Sequence, residues 1–374
     1  MEKGNSFDIK QKNRKRIYDF IRNNGSVSKQ DIVYGLQLSL PTVTQNLQYF
    51  TKQGLIHTNK KIKNTGGRDA TAYTYIPDVK VAVGVDITGH HIKCVVVDLC
   101  GKVLHVISKR RVFARNDAYF KCVGSIVDEV LEEAGISEDR VLGVGIAVPG
   151  LVSDDGEEVT YGITLNFSGE KRSNFAKYIS LPNRLYHDSH AAGYAEVWSR
   201  PEIKDAFYLN LGNSVGGSIL IDNKVFVGNT HKSGEIGHLT IVPDGEVCYC
   251  GQRGCFETCC NALLLSNYGD GNLGTFFKLL DDNDEGAKKI WDQYLEYLSI
   301  AIKDIRMLFD TEIIVGGYVG AYMENRMEKL EELVDAKNLF HDHASEFLFP
   351  CNYKIEAIAA GAAIMYVDTY INNI

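Results

Sequence analysis

Proline is scarce in this chain, at 7 of 374 residues, and with 35 glycines beside 45% hydrophobic side chains the composition excludes both a collagen-like fibre and a disordered chain. Long apolar runs are missing too. The longest, Ala357 to Val367, is eleven residues, about half of the roughly 20 that a bilayer-spanning helix needs, so no membrane span is expected. The first twenty residues, MEKGNSFDIKQKNRKRIYDF, contain neither an apolar h-region nor a small-residue cleavage site. The expectation is a cytoplasmic protein with no membrane partner. What is present is apolar material for several cores, mixed with 24% charged residues, and the length predicts two or three domains. Cysteine is not lacking, but five of the nine crowd between Cys248 and Cys260. In a long chain expected to be cytoplasmic that pattern reads as metal chemistry and not as a disulfide framework.

Charge of one sign is short in each part of the chain. Residues 1–75 carry 13 basic and 5 acidic side chains, and the remaining 299 carry 27 basic and 43 acidic. A basic head on an acidic body is the footprint of a protein in which only the head approaches phosphate. The head has a three-helix pattern. Ile17, Phe20 and Ile21 share a helical face in 9–23, which Asn24-Gly25 ends, and Ser28 is placed to cap a short helix over 29–34 carrying Ile32 and Val33. Ser39 caps a third helix with Pro41 in its first turn, where a missing N–H costs nothing. Val43, Leu47 and Phe50 are the buried stripe of that helix, leaving Thr42, Gln45, Asn46, Gln48 and Tyr49 on a free face whose short polar side chains suit base edges in a major groove. Beyond Gly54-Leu55, a strand over 56–60, a basic turn with Lys60, Lys61, Lys63 and Arg68, and a second strand over 71–76 make a hairpin wing. Its Gly66-Gly67-Arg68 tip is small and cationic enough for a narrow minor groove. The expected DNA contacts are Ser39, Pro41, Thr42, Gln45 and Asn46 on the helix, with Lys60, Lys61, Lys63 and Arg68 on the wing.

From Asn13-Arg14 through Ser39-Leu40-Pro41-Thr42-Val43 to Gly54-Leu55 and Gly66-Gly67-Arg68, this head resembles that of ROK-family transcription regulators of the NagC/XylR type. The body fits the resemblance. A strand over 80–86, a turn over 87–91 and a strand over 92–99 lead through a helix over 118–134 to a buried strand over 142–148 with Pro149-Gly150 at its end. A second cycle follows, with a strand over 205–211, a turn over 212–217 and a strand over 218–221. Such duplication suggests two similar α/β lobes facing a cleft, and resembles the actin-like (ribonuclease H-like) fold of sugar kinases and the ROK family. The expected division is a winged helix-turn-helix domain over 1–76, a first lobe over 77–190 completed by a C-terminal helix at about 355–374, and a second lobe over 191–354.

Cys248, Cys250 and Cys255 stand at i, i+2 and i+7 around two glycines, with His238 ten residues before the first. Three thiolates and an imidazole complete a tetrahedron that selects Zn²⁺ and leaves no position open, so a structural zinc is expected. The scattered Cys94, Cys100, Cys122 and Cys351 read as buried thiols. An open-site zinc hydrolase using Asp188 and His190 is excluded by the same ligand count. The segment is similar to the ROK zinc signature, and that resemblance implies Glu235, His238 and Glu257 as sugar contacts. Asp188, at the end of a strand and before a small-residue helix, matches the position of the family kinases' general base. His187 stands where those kinases have Asn; it reads either as a hydroxyl selector or as a core histidine. Asn166 falls in a region that lines the sugar pocket of the family.

Two functions from different classes remain, a sugar-responsive DNA-binding repressor and a sugar kinase with an added head. They part at the phosphate loops. The family kinases have Asp-x-Gly-Gly-Thr, and this chain has Asp86-Ile87-Thr88-Gly89-His90, with Gly212-Asn213-Ser214 at the second loop where the kinases resemble Gly-Thr-Gly. A Cβ and a lost hydroxyl spoil a backbone cradle for ATP phosphates. The reading is therefore a non-enzymatic repressor, a homodimer or dimer of dimers on a palindromic operator, released by a monosaccharide or a derivative.

Overall fold

The computed structural model describes residues 6–62 and 70–374. Local capping builds the head. Helix α1, Ser6–Asn24, buries Ile17, Tyr18 and Ile21, and strand β1, Ser26–Ser28, leads to helix α2, Lys29–Leu36. Ser28 Oγ accepts from the Asp31 N–H at 3.2 Å while Asp31 Oδ2 accepts from the Ser28 N–H at 2.7 Å, a reciprocal cap that fixes where α2 starts. Helix α3, Leu40–Lys52, starts on a one-way cap, with Ser39 Oγ accepting from the Thr42 N–H at 3.3 Å. Strands β2, Ile56–Ile62, and β3, Ala70–Tyr75, pair antiparallel, and β1 adds to the other side of β3. Three helices and this hairpin make a winged helix.

The body is one topology built twice. Strands β4 (Val81–Ile87), β5 (His91–Asp98) and β6 (Val103–Arg110) form an antiparallel meander. After helix α4, Asp117–Glu133, strand β7 (Val141–Val148) joins β4 in parallel. The small hairpin β8 (Leu151–Val152) and β9 (Val159–Tyr161) and helix α5 (Arg172–Ala176) then lead to β10 (Asn183–His187), parallel to β7. The sheet order is β6-β5-β4-β7-β10. Helix α6, Asp188–Trp198, crosses to a second meander of β11 (Ala206–Leu211), β12 (Val215–Ile221) and β13 (Lys224–Val225). Helices α7 (Phe256–Cys260), α8 (Ala262–Tyr268), α9 (Leu273–Asp281) and α10 (Glu285–Phe309) follow. Next come β14 (Glu312–Gly316), α11 (Gly317–Gly320), α12 (Met327–Asp335), α13 (Ala344–Phe347), β15 (Leu348–Pro350) and α14 (Ala357–Asn372). The second sheet has the order β13-β12-β11-β14-β15, with β14 and β15 parallel to β11. Strand for strand this repeats the first. It is the two-lobed actin-like α/β fold.

The expected turn over 212–217 is shorter in the structure, because β12 begins at Val215 and takes in Gly216 and Gly217. Those glycines are strand residues under close approach: a Cβ on Gly216 would meet Ser189 Oγ at 2.8 Å, and one on Gly217 would meet the Phe207 ring at 2.6 Å. Helices α6 and α14 pack on each other between the two sheets, α6 against β11 and β12, and α14 against β4, β5 and β7. Among the described residues no helix is long and apolar enough to cross a membrane.

Candidate functional site

The cleft site is made where chain elements end. Strand β10 closes at His187, and Asp188 opens α6, its Oδ1 accepting from the Ser189 N–H at 2.5 Å and the Ser189 hydroxyl at 3.1 Å. His187, Asp188, Glu235 and His238 line one cavity of about 120 Å³, together with Pro149, Thr164, Asn210 and Tyr249. His187 Nε2 stands 3.4 Å from Asp188 Oδ1 and 3.9 Å from Glu235 Oε1. Burial lowers the His187 pKa to about 4, so the ring is a neutral hydrogen-bonding group and not a counter-ion. Burial raises Asp188, against the hydrogen bonds from Ser189. Burial and then Asp188 raise Glu235, whose side chain is still 42% open to solvent that screens it. Carboxylates and a neutral imidazole on one concave wall can accept from and donate to neighbouring hydroxyls of a polyol.

Two expected contacts lie elsewhere. Glu257 is buried behind the wall, where its Oε2 accepts from the Val215 N–H at 2.5 Å, so it braces β12 and does not line the cavity. Asn166 is exposed on a turn with φ of 53° and lines none of the cleft cavities. Sequence reasoning missed Asn210 and Tyr249. Asn210, on the buried strand β11, donates to Ser189 Oγ at 3.2 Å and lines the cavity. Tyr249 sits between two of the cysteines and places its hydroxyl 3.3 Å from His238 Nε2.

Behind that hydroxyl lies the knuckle. The ligand atoms of His238, Cys248, Cys250 and Cys255 all lie within 4.8 Å of one another. Cys250 Sγ to Cys255 Sγ and Cys248 Sγ to His238 Nδ1 are each 3.7 Å, against an edge of about 3.8 Å for a tetrahedron with metal–sulfur arms of about 2.3 Å. The donor set fits a closed four-ligand metal site.

A second cavity of about 120 Å³ continues the cleft past Asp188, lined by Asp86, Thr88, Gly89, Asn213, Ser214, Gly317 and Tyr318. Here the altered phosphate loops meet. Thr88 Oγ1 donates to the His91 carbonyl at 3.1 Å and accepts from the His91 N–H at 3.0 Å. Its hydroxyl is committed to its own turn.

On the head, α3 presents Pro41, Gln45 and Gln48 to solvent, with Thr42 half-buried against the Ser39 hydroxyl at 2.8 Å. Asn46 corrects the expected reading face. It is 3% exposed, its Nδ2 donating to the Thr42 carbonyl at 2.8 Å and its Oδ1 accepting from Arg14 Nε at 3.3 Å, so its amide is engaged inside the head. Arg14 also lies 3.7 Å over the Tyr49 ring. Lys63 and Arg68 lie outside the described residues, as do the side chains of Lys60 and Lys61.

A two-lobed actin-like body that carries a polar cleft, a Cys₃His knuckle and a winged-helix head defines a class in which a sugar-kinase-type fold is joined to a winged helix. The chain belongs to the ROK family, whose model matches residues 82–368. A xylose repressor of Caldicellulosiruptor bescii is 22% identical over 99% of this chain and 98% of its own. The crystal structure of a ROK-family transcriptional regulator, a homolog of the Escherichia coli MLC protein, superposes with a TM-score of 0.76 at 21% identity, over 98% of this chain and 97% of that one. A ROK glucokinase of Streptomyces griseus, solved with glucose and AMPPNP, covers 76% of this chain and 98% of its own length, with a TM-score of 0.64 at 23% identity.

Proposed function

We propose that the chain is a sugar-responsive DNA-binding repressor, acting as a homodimer or dimer of dimers on a palindromic operator and released by a monosaccharide or a derivative. One observation carries this reading: the chain that holds the winged-helix head also gathers His187, Asp188, Glu235 and His238 on one cleft wall, while Thr88 fills the turn that should cradle phosphate. A relative named as a xylose repressor spans the whole chain, head included, which supports it. Residues 1–76 act as the DNA-binding unit, with Gln45 and Thr42 choosing sequence and Ser39, Pro41 and the wing lysines and Arg68 holding backbone and minor groove. The lobes over 77–190 with 355–374 and over 191–354 close on the sugar. His187 selects among hydroxyl patterns, and Asp188 acts as a binding group with no ATP to serve.

The His238, Cys248, Cys250 and Cys255 cluster is the structural zinc site of this reading. His238, through the Nδ1 that faces Cys248, and the three thiolates would hold the metal, which would supply a four-point staple, and Nε2 beside Tyr249 would remain for the sugar side. Metal analysis of purified protein should return one zinc per chain; a value far below one would remove it from the account. Function is tested with a panel of monosaccharides and their phosphates, scored by thermal shift and by coupled detection of ATP turnover. The proposal requires a sugar that raises the unfolding midpoint with no ADP released. Sugar-dependent ADP release that Asp188→Asn abolishes would establish the kinase instead.

A further inference from the structure

Two helices run from the cleft to the head. Helix α6 opens at Asp188 on the cavity wall and ends about 16 Å away at Trp198, whose ring lies 5.0 Å from the Arg22 guanidinium of α1. Helix α14 opens with Ala357 and Ile358 on the same cleft. At its far end the Asn372 carbonyl accepts from Gln11 Nε2 of α1 at 3.1 Å. Ile371 and Ile374 are buried there in one apolar cluster with Ile17, Tyr18 and Ile21 of the head.

The two helices are in direct backbone contact. A Cβ on Gly361 of α14 would meet the Ala191 carbonyl oxygen of α6 at 1.7 Å, so backbone is pressed on backbone. The last turn of α6 is tied to the segment that enters α14: the fully buried Glu196 carboxylate accepts from the Asn352 and Tyr353 N–H groups, each at 2.8 Å, and pairs with Arg200. In a close-packed pair tied at its end, a displacement of one helix is passed to the other.

We propose that α6 and α14 are a rigid relay through which closure of the lobes on a sugar at Asp188 repositions the head, and that the Trp198–Arg22 contact is its coupling point. The inference rests on the sensor reading above and adds the route of the signal. A sugar that favours one arrangement of the lobes biases the α6 axis, and Trp198 passes that bias to α1. Half-buried at the helix end, Trp198 lies away from both the cavity and the reading face of α3, so its loss should uncouple the sites without emptying either.

The experiment measures operator affinity with and without saturating sugar, and sugar affinity with and without operator, in wild type, Trp198→Ala and Arg22→Gln. Wild type should show a coupling ratio of at least about fivefold, the same in both directions because linkage is reciprocal. Trp198→Ala should bind each ligand alone close to wild type, with the ratio falling below about twofold in both directions. Arg22→Gln keeps the apolar packing and carries the same test if Trp198→Ala loses affinity for either ligand. A variant that binds both ligands and keeps the wild-type ratio overturns the relay. A wild-type chain with no sugar effect on operator affinity overturns the sensor reading itself.

Discussion

Asp86, the one acidic residue of β4, shows how far burial can push a single side chain in the cleft. It is 3% exposed, and desolvation raises its pKa from 3.8 to about 7, opposed by Lys93 and aided by Asp188. A carboxyl whose folded pKa lies above its unfolded value gives stability that is complete below about pH 4 and is lost as the pH rises towards 7. By the usual conversion of 1.36 kcal/mol per unit, the rise from 3.8 to about 7 means that the ionised form costs about 4 kcal/mol. Asp86→Asn should therefore raise the thermal midpoint at pH 8 by several degrees and raise it clearly less at pH 5. Melts at the two pH values check this, and equal shifts at both would show that ionisation is not the cause. At this scale the sequence was informative where neighbours in the chain decide a role. His187, Asp188, Glu235 and His238 line one cavity, where the ROK resemblance implied them together. Glu257 and Asn166 do not, because their placement depends on the Val215 N–H, 42 residues from Glu257, and on a left-handed turn at Asn166.

Among elements, the helix starts of the head were legible because their determinants are local: Ser28 with Asp31, and Ser39 with Thr42, lie three residues apart. Edge strands were not. The burial of β6 alternates with only Ile107 fully enclosed, and β13 has two residues, so neither has the apolar run that marked β4 or β11. The face of α3 was legible in outline but wrong at Asn46, which Arg14 claims from 32 residues away. The two neighbours on α3 should accordingly behave differently. Gln45→Ala, at an exposed position, should relax preference at one base position at a cost of about 1–3 kcal/mol. Asn46→Ala removes a buried partner of Arg14 and of the Thr42 carbonyl, costing about 1–3 kcal/mol of head stability, and should weaken operator and random DNA alike. Binding curves for both DNAs with each variant separate these outcomes, and a sequence-selective loss in Asn46→Ala would return that residue to the reading face.

In the whole molecule, the basic head and acidic body seen in the charge count correspond to a winged helix and a duplicated α/β body. The duplication was legible because a buried strand, a glycine-bearing turn and a second strand recur in each half. The shared apolar cluster joining α1 to α6 and α14 was not, since Ala195, Ala359, Ala360 and Ala363 read in sequence only as small residues of two separate helices. That cluster gives the body a grip on the head. The account stands or falls on whether a sugar in the cleft is felt by DNA at the head. Fluorescence anisotropy with an operator selected by the protein from a random library, titrated with and without the best sugar of the panel, measures this directly. The account predicts that saturating sugar weakens operator affinity at least about fivefold at fixed salt. Identical operator affinity with and without a sugar that demonstrably binds would contradict it.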